Sequence, residues 1–498
     1  MSILPPSGWT GGPATGTSLS AIQAILKEDY QDAIRDQLHR DLRILQLFEK
    51  GKASWNGRQF IIPMRVGGNT GVSFKGEGSQ LPNAGSQRFV RILNSAKFLY
   101  ARFQVGGPDI AAAANGGAMG LVSTVSDEMT YLVEDVKDYA DKKMYHGGQV
   151  KGFIVEKAAG LTTATGGSAW STAGDEETLT LQYFGDHSYF DECVAGTPST
   201  WVRVDIVRQD TMAVCAPTNL GQVYVVASDA SASPASTITL AVVETAGGAS
   251  QLDLTLSGLS IAAEVPFSVS LADKGVAAAP HATLGAVLNE GGFRFDKTAA
   301  GYSSSNVDYN AALEFSGLID NLANVDHHGV SRATEATLRS TVLCYSEASV
   351  GEAVAMSSGN INRIQKVIDV MRNKSRRKPD VLITTPLTRH KYIGAASLTQ
   401  NVQAGSISGL DLGTNEDSLG FAGIPMQVDS NCPPGMLFGL HTASWKVFEL
   451  KPGDFDDTDG KILHQVAGYD RYEGFWKWYL ELICDYPSAN MIVVGFLT

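Results

Sequence analysis

Cysteine is scarce in this 498-residue chain. Its five thiols, Cys193, Cys215, Cys344, Cys432 and Cys484, are odd in number and widely spaced, with no C-x-x-C pair. That argues against a disulfide framework or a cysteine-built zinc module, and the thiols read as reduced. Long apolar runs are also missing, since no segment approaches the roughly 18 apolar residues needed to span a bilayer. The first residues, MSILPPSGWTGG, lack the basic region and apolar core of a secretory leader, so folding in a cytoplasm is expected. Basic residues are outnumbered, 39 Lys and Arg against 52 Asp and Glu, for a formal charge of -13. A dedicated nucleic-acid reader is disfavoured, because phosphate binding draws its affinity from clustered cations that displace counterions.

Catalytic and ligand motifs are absent as well. Gly76-Glu77-Gly78 opens like a dinucleotide fingerprint, but Leu81 stands where the third glycine belongs and the segment is no strand-to-helix turn. Gly453 lies too far from Gly460-Lys461 for a phosphate loop, and Ile462 occupies the Ser or Thr position. In the acidic run Asp454, Asp456, Asp457, Asp459, the last residue replaces the glycine of a calcium loop, so a solvated loop is the simpler reading. His327 and His328 are adjacent; on a helix they would point about 100° apart, which suits a surface or hinge pair better than a shared metal. The basic run Lys374, Arg376, Arg377, Lys378 follows a helical segment and complements the dipole at its end. There is no H-E-x-x-H or G-x-S-x-G, and the tryptophans are too dispersed for a base-stacking platform. Catalytic groups can be assembled from distant positions, yet no catalytic, cofactor-binding or metal-binding residue is nominated, and no enzyme activity is expected.

What is present is a succession of elements. At about 150 residues per domain the length suggests roughly three units, and 44% apolar with 18% charged residues is ordinary for globular protein. Residues 1–18, with Pro5, Pro6 and Pro13, read as an extended lead-in. Over 21–49, Ile22, Ile25, Leu26, Ala33, Ile34, Leu38, Leu42, Leu45 and Phe48 recur at helical spacing, which suits either docking on a neighbour or a terminal core helix. From Arg58 the period becomes two, with Phe60, Ile62, Met64 and Val66 alternating with Gln59, Pro63 and Arg65. The return strand reads as 98–105, with Ala101, Phe103 and Val105 on one face. Between these limbs lies a tip with Gly67, Gly68, Gly71, Gly76, Gly78 and Gly85, turn chemistry reinforced by Asn69, Pro82 and Asn83. A two-stranded ribbon this long is marginal in water. It lies on a neighbouring subunit or on its own domain, and periodicity does not choose.

Beyond a small-residue linker, residues 118–146 carry Leu121, Val122, Val125, Met129, Leu132, Val133, Val136 and Ala140 on one stripe, stopped by Gly147 and Gly148. That predicts a helix on the order of 40 Å long. Residues 150–305 differ, with short strands rich in Thr, Ser, Ala and Val at about 201–207, 222–227 and 237–243, consistent with a small barrel or sandwich. Helical spacing returns with Ile361, Ile364, Val367, Ile368 and Met371, followed by a buried-type strand over 381–384, an α/β unit. The chain closes with alternating Trp476, Trp478, Leu480, Leu482 and Cys484, then an apolar strand over 491–496.

This order of parts resembles the major capsid proteins of tailed bacteriophages, the Hong Kong 97-type capsid fold. Residues 55–105 look like that family's E-loop, 118–146 like its spine helix and 361–450 like much of its axial domain. Lys378-Pro379-Asp380-Val381-Leu382-Ile383-Thr384-Thr385-Pro386 and Gly423-Ile424-Pro425-Met426-Gln427-Val428-Asp429, with Pro434-Gly435 after it, are similar to recurring segments of phage capsid proteins. The resemblance implies an α+β fold with an N-terminal arm (1–54), an E-loop β-arm (55–110), a peripheral domain with spine helix (111–149), a β-rich insertion domain (150–305), a peripheral continuation (306–350), an axial domain (351–452) and closing strands of the peripheral domain (453–498). The insertion exceeds what a minimal member needs and resembles inserted domains of some phage capsid proteins.

The implied function is structural: self-assembly into hexamers and pentamers of an icosahedral head that encloses double-stranded DNA without sequence-specific contact. Scaffolding, portal and decoration proteins are the implied further partners, with no membrane and no cofactor. The implied location is the virion, after assembly in a host bacterial cytoplasm. Intersubunit contacts are expected at Phe60, Ile62, Phe74, Lys75, Glu77, Leu81 and Phe103, and N-arm contacts at Ile34, Leu38 and Leu42. Some relatives crosslink an E-loop lysine to a neighbour's asparagine; Lys75 lies in the tip, but no motif identifies a partner. An encapsulin-like bacterial compartment shares the fold and is the alternative reading.

Overall fold

A computed structural model of the chain describes residues 43–108, 118–154, 162–163, 169–171, 178–191, 193, 202–214, 221–232, 236–244, 251–252, 255–257, 267–271, 314–345, 354–357, 360–400, 420–457 and 462–497, less 53, 54, 58, 70, 192 and 467. Ile34, Leu38 and Leu42, with all of the expected N-terminal helix before residue 43, lie outside the described residues. The remainder is α1 (Arg43–Leu47), which buries Ile44; Phe48 just beyond it stacks on Trp445 with ring centroids 5.4 Å apart. β1 (Glu49–Gly51) then runs parallel to residues 446–448.

The arm is an antiparallel ribbon of β2 (Gln59–Gly67) and β3 (Arg88–Ser95). This corrects the expected return strand. The sequence over 98–105 belongs instead to β4 (Lys97–Gly106), which leaves the ribbon at Ala96 and pairs with the distant strand Arg471–Cys484 through ten consecutive residues, Lys97 with Leu480 to Gly106 with Arg471. The true return strand carries no clean alternation of polarity: Ile92 and Asn94 are buried while Phe89 and Leu93 are exposed.

α2 (Ala118–His146) has the expected bounds, with Val136, Ala140 and Met144 buried at spacings of four. Gly148, at φ +96, ends it; a Cβ there would also lie 2.4 Å from Asp320 Cγ, so both the backbone and the neighbour require glycine. Next come β5 (Val150–Ile154), β6 (Thr178–Gly185), β7 (Val202–Arg208), β8 (Gly221–Asp229), β9 (Thr237–Glu244) and β10 (Phe267–Leu271). They pair antiparallel in the order β7-β8-β9-β6-β5-β10, and β10 pairs back onto β7. Among the described residues these six strands therefore close into a barrel, an arrangement that leaves no edge along this circuit.

The rest of the chain supplies α3 (Leu318–Ala323), β11 (Thr341–Cys344), α4 (Arg363–Ser375), β12 (Val381–Thr384), α5 (Pro386–Gln400), β13 (Gly420–Phe421), β14 (Ile424–Val428), β15 (Met436–Leu440), β16 (Trp445–Phe455), β17 (Leu463–Gln465), β18 (Arg471–Cys484) and β19 (Met491–Val494). A mixed sheet has the order β11-β19-β15-β12-β14-β13, and a second sheet has β1-β16-β18 with β17 also on β18 and β4 paired to β18. The mixed sheet joins strands that the sequence reading assigns to three separate units, 306–350, 351–452 and 453–498.

Period-two alternation sorts its two faces. Val381, Ile383, Phe438, Leu440, Ile492 and Val494 share one core with α2 and with Trp445, Trp476 and Trp478, whereas Leu382, Leu437, Met491 and Val493 meet Ile364, Val367, Ile368 and Met371 of α4. The basic run at the end of α4 makes local contacts at Lys374 and Arg376. Arg376, left-handed at φ 55, caps the helix, and Lys374 Nζ donates to Ser340 O at 3.0 Å.

Where the barrel leaves α2 and the chain returns, Glu314 lies 3.0 Å from Lys143 Nζ and 2.9 Å from Lys151 Nζ, and accepts from the Tyr189 hydroxyl. Burial pushes the Glu314 carboxyl up, but the two ammonium groups and the hydroxyl hold it below the usual range. Lys151 is fully buried over the Tyr189 ring, 3.8 Å from its centroid. Glu314→Gln leaves this ammonium buried without its counter-charge, and is expected to cost about 3–5 kcal/mol in urea unfolding of the subunit.

Candidate assembly surface

The arm is rooted by aromatic packing. Phe60 is only 6% exposed; its ring centroid lies 4.5 Å from that of Trp55 and 4.7 Å from that of Phe448, and Ile483 and half-buried Ile62 complete the cluster. Phe103, 5% exposed, packs edge-on to Phe455 and lies so close to Gly474 that a Cβ there would be 2.4 Å from its ring. Phe60 and Phe103, expected as contacts to a neighbour, are thus spent inside the chain, and Ile62 is largely so. Alternation identifies the apolar face of a strand but not whose core it meets.

The tip behaves differently. Phe74 is 106% exposed and Leu81 80%, and Val72, Lys75 and Glu77 are exposed beside them. The two limbs touch at Gly71, where a Cβ would sit 2.7 Å from both Asn83 O and Gly85 N, so only glycine lets them close. Glu77 and Gly78, at φ +77, form the turn, with Ser79 N donating to Gly76 O at 3.1 Å. Along the ribbon, Ile61 faces Leu93 and Arg65 faces Phe89, and all four are exposed. Exposed apolar side chains grouped on one face in this way are a candidate interaction surface.

The inner side of β3 is fixed on the segment after α3. Leu93 N donates to His328 O at 3.0 Å, and Arg88 pairs with Glu335. Beneath it Arg332, fully buried, donates to Leu338 O at 2.9 Å, Asn324 O at 2.8 Å, Asn321 O, and His327 Nδ1 at 3.0 Å. His327 Nε2 then donates to Cys484 O at 3.2 Å, which assigns its tautomer. Burial, with the guanidinium second, holds His327 far below its ordinary pKa and His328 down to about 3. The expected surface pair is corrected for His327, which is buried; His328 at φ 49 and Gly329 at φ 88 form a tight turn.

Glu481 of β18 is also buried at this root and accepts from Ser316 N at 2.8 Å. Burial raises it to about 8, against the pull of Lys97. Neither Arg332 nor Glu481 carries a sequence signal: one sits outside any periodic segment, and the other falls on the polar half of an alternating strand.

Chemically the arrangement is a mechanical mount. Among the described residues no group of three or more His, Cys, Asp or Glu is placed to hold a metal ion, and no helix is long and apolar enough to cross a membrane. The four described cysteines are buried thiols.

No family model matches the sequence, and no curated protein matches it. Among solved structures the chain is similar to the cyanophage A-1(L) capsid asymmetric unit, at 10% identity and a TM-score of 0.47 over 95% of this chain and 98% of that one. It is similar to the capsid of a native GTA particle at 8% identity and a TM-score of 0.44, covering 97% and 100%. The capsid of Myoviridae phage XM1 gives 8% identity and 0.40, covering 94% and 97%.

Root and tip predict opposite outcomes. Phe60→Ala is expected to destabilise the isolated subunit by about 3–5 kcal/mol, and Phe74→Ser by no more than about 0.5 kcal/mol, measured by urea unfolding. A second expectation concerns pH. Folded Glu481 keeps a proton that the unfolded chain releases between 4.5 and about 8, so its contribution to stability is lost as pH rises through that window. Glu481→Gln should raise the thermal midpoint near pH 8 and leave it almost unchanged near pH 4.5, read by calorimetry at both values.

Proposed function

We propose that this chain is a phage major capsid protein, whose work is assembly into hexamers and pentamers of an icosahedral head around double-stranded DNA. The observation that carries the reading is the arm: its root is locked into the subunit core, while Ile61, Val72, Phe74, Leu81, Phe89 and Leu93 face water in an isolated subunit. Surface of that kind costs free energy until another surface covers it. In this reading 55–105 is the E-loop, α2 the spine helix, the mixed sheet with α4 the axial domain and the barrel an inserted domain. Phe74, Lys75, Glu77 and Leu81 of the tip contact the neighbouring subunit, and Ile34, Leu38 and Leu42 do so from the N-terminal arm. One chain filling non-identical positions needs an adjustable strap, and the glycine-rich tip supplies adjustable backbone. The net charge of -13 suits a wall that encloses nucleic acid without gripping it. Scaffolding, portal and decoration proteins are the further partners.

The test is the purified full chain under sedimentation and electron microscopy, beside a variant lacking 72–84, whose flanks already meet at Gly71 and Gly85. The parent is expected to form closed shells and the shortened arm to leave folded, unassembled subunits. Normal shells from the shortened chain would refute the strap.

A further inference from the structure

Charge is unevenly spread along the chain. Residues 361–391, which hold α4, β12 and the start of α5, carry nine Lys or Arg against Asp369 and Asp380, a net +7 in a chain of -13, which leaves -20 for all other residues. Part of that positive charge is engaged within the subunit. Arg363 donates to Tyr345 O at 3.1 Å, Lys374 donates to Ser340 O, and Arg377 donates to His441 Nε2 at 3.1 Å while lying over the Tyr486 ring, 4.4 Å from its centroid. Arg372, Arg376 and Lys378 are exposed, and their side chains meet no carboxylate among the described residues.

Arg376 is the informative member. It ends α4 in the left-handed region at φ 55, where its backbone N–H donates to Arg372 O. Glycine takes that conformation without strain and is the usual residue at such a helix end, whereas any residue with a Cβ is strained by it. The cap needs only the backbone, so the strain is carried for a side chain that forms no ion pair within the described residues. Strain of this kind collects at sites of function. The helix dipole favours cations here but does not call for an arginine at the one strained position.

The composition of the patch selects its ligand. From Arg372 to Lys378 the sequence is RNKSRRK, five cations and two polar residues with no apolar side chain. The core of a protein interface is filled by aromatic and aliphatic groups, and a helix that lies on a membrane inserts them. Clustered cations among polar groups match a phosphate backbone instead. The exposed Tyr486 ring has Arg377 on its face, which makes it a poor stacking platform for unpaired bases. We propose that this end of α4, through Arg372, Arg376 and Lys378, seats the phosphate backbone of duplex DNA. The proposal rests on the shell-forming reading for the presence of DNA and adds the place where an otherwise acidic chain holds it. Such contact is independent of base sequence and weakens steeply with salt.

The experiment titrates a short labelled duplex of mixed sequence with the full-chain subunit, separated from any shells by size exclusion, and reads anisotropy between about 50 and 200 mM salt. R372Q/R376Q/K378Q is expected to bind about tenfold or more weakly at the lower salt, and to flatten the slope of log affinity against log salt by about 2.7, roughly 0.9 for each cation removed. R376G is expected to flatten it by about 0.9 while raising the thermal midpoint, because glycine relieves the strained cap. R65Q/R91Q, which removes two exposed cations from the arm, is expected to bind as the parent does. A parent that binds no duplex, a triple variant with the parental slope, or an equal loss in R65Q/R91Q overturns the proposal. Shell formation is scored separately by sedimentation. If the triple variant binds DNA as the parent does but fails to assemble, the end of α4 is a contact between copies, and the DNA seat falls while the shell reading stands. If the parent forms no shells, that reading falls, and the anisotropy still decides the seat.

Discussion

The pairing of β4 with β18 is the constraint on which the rest hangs. Its ten residue pairs hold the foot of the arm against a strand more than 360 positions later, and β18 in turn carries β16, and through β16 the parallel β1. Because side chains alternate along β18, the same ladder aims Trp476, Trp478, Leu480 and Leu482 into the shared core and sets the depth at which Glu481 is buried. A slip of one residue would turn the tryptophans outward and detach the core from α2.

Around that ladder, polar groups finish the fit. Arg332 spends its guanidinium on carbonyls of its own loop and on His327, making the short segment 321–339 rigid enough to receive β3. Asn490 plays a similar part at the other end, accepting from Trp445 Nε1 at 2.9 Å and donating to Tyr486 O at 2.9 Å. Buried groups satisfied this fully tolerate few alternative packings. The result is a packed foot and an exposed tip on one continuous ribbon.

Much of this was legible from periodicity. α2 falls where Leu132, Val136 and Ala140 place it, α4 and β12 follow their apolar spacing, and the alternating tryptophans of β18 are all buried. Long elements with one apolar face announce themselves. The pairing of strands is not legible, because the period-two patterns of β2, β4 and β18 are equally compatible with any partner, and only the fold shows that the ladder of β4 is with β18. For the same reason the sequence nominated Phe60 and Phe103 alongside Phe74 and Leu81. All four are apolar, and only tertiary packing separates a root from a tip. Closure of the barrel was equally invisible, since it depends on the last strand, β10, meeting β7.

The ladder also imposes an order in time. A ribosome making about 5–20 residues per second completes β4 and then needs on the order of 20–70 s before the last of its partner emerges, because residues 107–470 intervene. Through that interval the foot of the arm has nothing to pair with, and its apolar flank has no assigned seat. A nascent or prematurely terminated chain therefore cannot close this ladder. A strand at the foot of the arm thus takes its set from one made more than 360 residues later.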